Sequence, residues 1–171
     1  MPVAFHPPSL VQRFLPMLCS LMILASGAQS RADTTEDILL SVTGPDISHD
    51  LTRTDLEEIG IASFQTSTIW TDGLQEFTGT PLNAFVAALG LNDELALQAI
   101  AANDYAVEVP LSDAVEDGPI IAFLRNGEPM TLRDNGPLWL VYPYDHNSDY
   151  QSEIIYARSI WQLERIVVIV P

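Results

Sequence analysis

The chain has 171 residues, of which 23 are acidic and only 7 basic, for a formal net charge of −16 at pH 7. That length builds one domain around one core once a leader is set aside. A surface this acidic repels nucleic acid and anionic lipid, which excludes both as charge-steered partners.

Residues 1–32 carry the pattern of a secretory signal peptide. Arg13 supplies a basic start, Phe14 to Ser26 is an uncharged apolar run, and the small residues after it offer cleavage after Ala28, Ser30 or Ala32. The run is shorter than the roughly 20 residues a membrane span needs. The mature chain, residues 33–171, is therefore expected to be a single domain, periplasmic or secreted, with no membrane span. Cys19 is the only cysteine and lies in the leader, so the mature domain is expected to hold no disulfide.

Asp37–Gly44 reads as a strand ending at Gly44-Pro45. Thr54 is placed to cap a short helix over Thr54–Glu58, with acids at its positive end. Ser63–Thr71 is rich in β-branched and aromatic residues and reads as a strand. Asp72-Gly73 turns it into Leu74–Phe77. Thr80-Pro81 then predicts a helix start, with Leu82, Phe85, Val86 and Leu89 on one face and Gly90 as terminator.

Leu95–Ala101 and Tyr105–Pro110 read as strands around Asn103-Asp104, and Ser112 as the cap of one helical turn. Pro119–Arg125 and Glu128–Leu132 flank Asn126-Gly127, the strongest short hairpin signal in the chain. Leu138–Tyr142 is an apolar strand, Ser152–Leu163 a mixed segment, and Glu164–Val170 a closing buried strand. The pattern is a strand-rich α+β domain.

Several tracts, in order, resemble the molybdopterin-binding domain of the sulfite oxidase family: FTGTPLNAFVAALGL, ANDYAVEVPL, IIAFLRNGEPM, GPLWLVYP and SIWQLERIVV. The resemblance runs from about Leu51 to Val168 and implies that family's mixed-sheet fold. It also implies molybdopterin as cofactor, with a cysteine holding the metal between the TSTIW strand and the FTG segment. This chain has Trp70-Thr71-Asp72-Gly73 there. The family's arginine in its "P-L-R" segment is Trp139 here, and its lysine before tryptophan is Ile160.

A cleft at the family's cofactor position would be lined by Asn103, Asp104, Tyr105, Asn126, Arg133, Asp134, Trp139 and Arg158. Arg133 and Arg158 are the candidate anion binders, through paired N–H donors; the simpler reading makes them partners of nearby carboxylates such as Asp134 and Glu153. The residues alone make Asn103-Asp104 a plain turn before a ligand contact, and Asn126-Gly127 a hairpin turn. Asp145, His146 and Asp149 form one loop with metal-compatible ligands, but their spacing matches no standard site, and no metal ligand is assigned. Trp70, Trp139 and Trp161 could floor a ligand cleft; Trp161 lies in an apolar run and reads rather as core, while Trp139 follows a Gly-Pro turn inside a strand and could face either way.

No hydrolase, zinc or phosphate-loop motif is present, and no catalytic residue is assigned. The residues point to a non-catalytic, exported module that binds a small molecule or an extracytoplasmic protein, in a sensory role, with no cofactor. The alternative implied by the resemblance is a molybdopterin-dependent oxidoreductase that holds its metal without cysteine.

Overall fold

The computed structural model describes residues 36–92 and 94–170 as well as Met1. The leader expected over 1–32 thus lies outside the described residues apart from its first. Alternation along Ile38–Gly44 (β1) turns Leu40 and Val42 inward while Ile38 and Thr43 stay at the surface. The chain reverses through Asp46, held at φ 59°, and returns antiparallel as β2 (Ile47–Thr52). β2 escaped the sequence reading because Ser48, His49 and Asp50 are all exposed, so no apolar alternation marks it.

Thr52, not Thr54, caps α1 (Arg53–Ile59). Its hydroxyl accepts the Asp55 N–H at 3.2 Å, while the Asp55 carboxylate accepts the Thr52 N–H at 2.8 Å. This reciprocal capping box satisfies two amides that a helix start otherwise leaves unpaired.

β3 (Ala62–Ser67) and β4 (Leu74–Pro81) form the expected hairpin, yet β3 stops at Ser67 rather than Thr71. There the Asp145 carboxylate accepts the Ser67 N–H at 2.6 Å and its hydroxyl at 2.8 Å. Residues 68–73 become a loop that carries Trp70. Thr80 is likewise not a helix cap. It is buried within β4, where its hydroxyl donates to the Leu56 carbonyl at 2.6 Å, and Pro81 takes the capping position before α2 (Leu82–Ala88). Leu82 and Phe85 face the core, and Gly90 ends the segment at φ 65°.

β5 (Ala96–Ala101) and β6 (Ala106–Pro110) pair around Asn103-Asp104 as expected. Ser112 caps nothing; it sits inside a 3-10 turn, Leu111–Asp113, entered from Pro110. β7 (Ile120–Arg125) turns at Asn126 (φ 53°) and Gly127 (φ 81°), the pair of positive angles a tight hairpin requires. Its return strand β8 spans only Glu128–Pro129, shorter than Glu128–Leu132, since Pro129 has no N–H with which to extend the ladder. A 3-10 turn, Leu132–Asp134, leads to β9 (Trp139–Val141); α3 (Glu153–Arg158) occupies the mixed segment, and β10 (Leu163–Ile169) closes the chain.

Two five-stranded sheets result. One has the order β2-β1-β10-β5-β6, with β10 parallel to β1 and every other pairing antiparallel; the other runs β3-β4-β7, with β8 and β9 sharing the far edge of β7. One mixed and one antiparallel sheet with three short helices make the α+β fold expected from the sequence. Leu40, Leu97 and Ile166 from the first sheet, Phe77, Ile121 and Leu140 from the second, and Leu56 and Phe85 from the helices share one core. Trp139 lies inside it at 0% exposure. Removing an indole of that size from water stabilises the fold by on the order of 5 kcal/mol, as an upper bound.

The sheets are stitched where β9 meets the approach to β10. Leu140 N–H donates to Ile160 O at 2.9 Å, Leu163 N–H donates to Leu138 O at 3.0 Å, and the Trp139 and Trp161 backbones form a bridge. The candidate site lies at this seam. Among the described residues, no helix is long and apolar enough to cross a membrane.

Candidate functional site

Beside the seam, a cleft of about 290 Å³ is lined by Trp70, Asn103, Tyr105, Tyr156 and Trp161, with Ala101, Ala157, Ser159 and Ile160 completing its wall. Each aromatic arrives from a different piece of the fold. Trp70 comes from the 68–73 loop, Tyr105 from the β5–β6 turn, Tyr156 from α3, and Trp161 from the irregular segment before β10. The Asn103 side chain accepts the Tyr105 N–H at 3.1 Å, which fixes the turn, and the Tyr105 hydroxyl donates to Ala157 O at 3.3 Å across to α3.

Trp70 is the keystone of this aromatic group. Its ring packs edge-on against Trp139 at 5.7 Å and Tyr156 at 5.9 Å, and tilted against Tyr144 at 6.5 Å, arrangements that suit the quadrupoles of the rings. Below it, the Trp139 indole N–H donates to Ser159 O at 3.2 Å. The Tyr144 hydroxyl donates to Ser159 Oγ at 2.5 Å, and Ser159 Oγ donates onward to Ile155 O at 2.7 Å. Burial pushes the Tyr144 phenol well above its ordinary range, so it stays a donor. Ser159 is 1% exposed with its hydroxyl fully engaged, which makes it a strut of the wall and no nucleophile. No lining residue is charged or a thiol, so the cleft suits an apolar, flat molecule.

Trp70 also lines a second cavity, of about 340 Å³. Its walls are Thr71, Asp72, Gln75, Arg125, Arg133, Asp134 and Asn135. Arg125 faces Asp134 at 3.4 Å, and Asp134 also accepts the Thr131 hydroxyl at 2.6 Å.

The structure thus separates the eight residues proposed to line one cleft. Asn103 and Tyr105 line the aromatic cleft, and Arg133 and Asp134 the polar cavity beside it. Asp104, 84% exposed, pairs with Arg165. Asn126 works in its hairpin, accepting the Glu76 N–H at 2.9 Å and donating to Gln75 at 2.7 Å. Trp139 is core beneath the site. Arg158 is bound to Asp113 rather than to Glu153: its Nη1 lies 3.1 and 3.0 Å from the two carboxylate oxygens, and the Tyr142 hydroxyl donates to the same carboxylate at 2.7 Å.

Trp161 corrects the reading as core, for it is 37% exposed on the cleft. Tyr156 was missed; the spacing of Ile155, Tyr156 and Ile160 in a mixed segment gave no signal that one faces a cavity. In the 145–149 loop, Asp145 is spent on Ser67 and the His146 ring packs on Phe64 at 6.1 Å. No group of three or more potential metal ligands converges among the described residues.

Comparison with known proteins was made on sequence and on fold. The chain matches the family described as oxidoreductase molybdopterin binding domain over residues 53–146. Its fold is similar to that of the sulfane dehydrogenase SoxCD from Paracoccus pantotrophus, with a TM-score of 0.59 and 19% identity, covering 81% of this chain and 39% of that one. The chain therefore spans about two fifths of the length of that solved chain. No curated protein matches it.

Proposed function

This chain belongs to the oxidoreductase molybdopterin-binding domain family, and we propose that it uses the family's fold as an exported binding module, recognising a small molecule in the aromatic cleft without ligating molybdenum. The observation that carries this reading is the cleft itself: four aromatic side chains from four elements converge on one open, uncharged concavity. Small-molecule sites have this character, apolar and aromatic with a few fixed polar groups.

The residues here do not fit a molybdenum–pterin group. Ligation by the family pattern needs a thiolate, and residues 68–73 supply hydroxyls, an indole and one carboxylate. The phosphate of such a cofactor calls for cations or clustered N–H donors; the cleft lining contains no cation, and the two arginines of the cavity that shares Trp70 are matched there by Asp72 and Asp134. Export is supported by the basic residue, apolar run and small-residue cleavage options of residues 13–32.

A thermal-shift screen of the mature chain against small aromatic compounds tests the reading. Binders raise the melting temperature in proportion to the logarithm of their concentration, and Trp161→Ala, at a half-exposed position, removes the effect while leaving the fold intact. A screen in which shifts persist unchanged in Trp161→Ala, or in which no aromatic compound shifts the transition, contradicts it.

A further inference from the structure

Trp70 lines two cavities of opposite character, one apolar and aromatic, the other polar with two guanidinium groups. They are joined structurally as well. Asn135 of the polar cavity accepts through its carbonyl the N–H of Gln162, next to Trp161, at 3.0 Å, and the Gln162 side chain donates to Leu132 O at 2.7 Å. The loop that carries Arg133 is thereby fastened to the segment that carries Trp161.

We propose that the ligand is an aromatic monocarboxylate, its ring in the cleft among Tyr105, Tyr156 and Trp161 and its carboxylate reaching past Trp70 to Arg133. The proposal rests on the cleft being a small-molecule site and deepens it by naming the ligand class. Volume sets the ring. A cavity of about 150 Å³ is enough for benzene, so the 290 Å³ of this cleft suits one ring or two fused rings.

Charge sets the head group. Arg125 and Asp134 already face each other, and Asp134 holds Thr131 as well. Arg133 makes no ion pair with any described residue although the chain carries a net charge of −16. A guanidinium presents paired N–H donors that match a carboxylate. Asp72 and Asp134 match the two arginines of this cavity in number, so it carries no surplus positive charge and offers an anion only the one guanidinium of Arg133; both acids and the acidic surface around them repel a dianion about twice as strongly as a monoanion. The arrangement therefore selects a carboxylate over a phosphate.

Isothermal titration of the mature protein with 1-naphthaleneacetate, its neutral isostere 1-naphthaleneacetamide, and 1-naphthyl phosphate tests this. The acid is expected to bind about ten-fold or more tightly than the amide, the range of a hydrogen bond to a charged group, and at least as tightly as the phosphate. Arg133→Gln, at an exposed position, should erase the acid–amide difference, and Trp161→Ala should weaken both. Equal affinity for acid and amide, with both weakened by Trp161→Ala, would overturn the carboxylate assignment while leaving the cleft as a binding site. Tighter binding of the phosphate would overturn the selection of a monoanion. No heat from any of the three up to about 1 mM would overturn the ligand class and the cleft reading together.

Discussion

Replacing Arg158 with methionine should cost stability and leave ligand binding unchanged. The guanidinium and its partner Asp113 are only 24% and 12% exposed, and one arginine nitrogen contacts both carboxylate oxygens. The third member, Tyr142, donates its hydroxyl to the same carboxylate at 2.7 Å; burial, reinforced by the Asp113 charge, raises its phenol far above the ordinary range, so it remains protonated. Methionine keeps most of the volume and removes the charge, leaving a carboxylate with one neutral donor and little water. Breaking a fully buried pair from one side costs about 3–5 kcal/mol; the residual exposure of this one reduces that to about 2–3 kcal/mol. At roughly 3–5 °C per kcal/mol for a domain of this size, the melting temperature falls by about 6–15 °C.

Urea unfolding should show the midpoint lowered with the slope unchanged. In the double variant Arg158→Met with Asp113→Asn, the stranded charge is gone, and about 1–2 kcal/mol of the loss should return as coupling. A loss under about 0.5 kcal/mol, within the usual range of an exposed substitution, or strict additivity in the double variant, would refute the reasoning. Weakened naphthaleneacetate binding at unchanged stability would move Arg158 into the ligand site.

Thr80→Val keeps the shape of a fully buried side chain and deletes its 2.6 Å hydrogen bond to Leu56 O; chemical denaturation should register a loss of about 1–2 kcal/mol, and an unchanged midpoint would show that the bond contributes nothing net. Hydrogen bonds from the Ser67 backbone and hydroxyl hold the Asp145 carboxyl below its usual 3.8. A depressed carboxylate stabilises above its unfolded pKa and loses that contribution as pH falls through the folded value. The melting-temperature gap between wild type and Asp145→Ala should therefore be constant above about pH 5 and close below it; a gap independent of pH down to pH 2 would contradict the assignment.

The elements legible in the sequence were those whose signal is local. Asn126-Gly127 demands positive φ at two successive residues, and only a tight hairpin uses that pair. Where a long-range contact overrode the local preference, the reading failed. Thr80 has the chemistry of a cap, but the Leu56 carbonyl engages it from another element, and β4 extends through it. Ser63–Thr71 has strand composition throughout, yet Asp145, distant in sequence, ends β3 at Ser67.

The site shows the same division. Asn103 and Tyr105 stand out through the family resemblance, since the residues alone read there as a plain turn at a strand junction. The separation of Arg133 from Arg158 was not legible, since it depends on Asp113 lying beside α3. Trp139 and Trp161 follow similar apolar neighbours; only the stitching of the two sheets decides that the first is core and the second faces the cleft.

The most direct test of the central claim is the molybdenum and pterin content of the mature protein, purified from a molybdate-replete host that demonstrably loads a cysteine-bearing member of the same family. The lack of a thiolate among residues 68–73, with the nearby arginines matched by acids, predicts folded protein with neither component above trace. Near one equivalent of each, bound and retained through purification, would contradict the account and place the metal on an oxygen ligand of residues 68–73 or on the pterin alone.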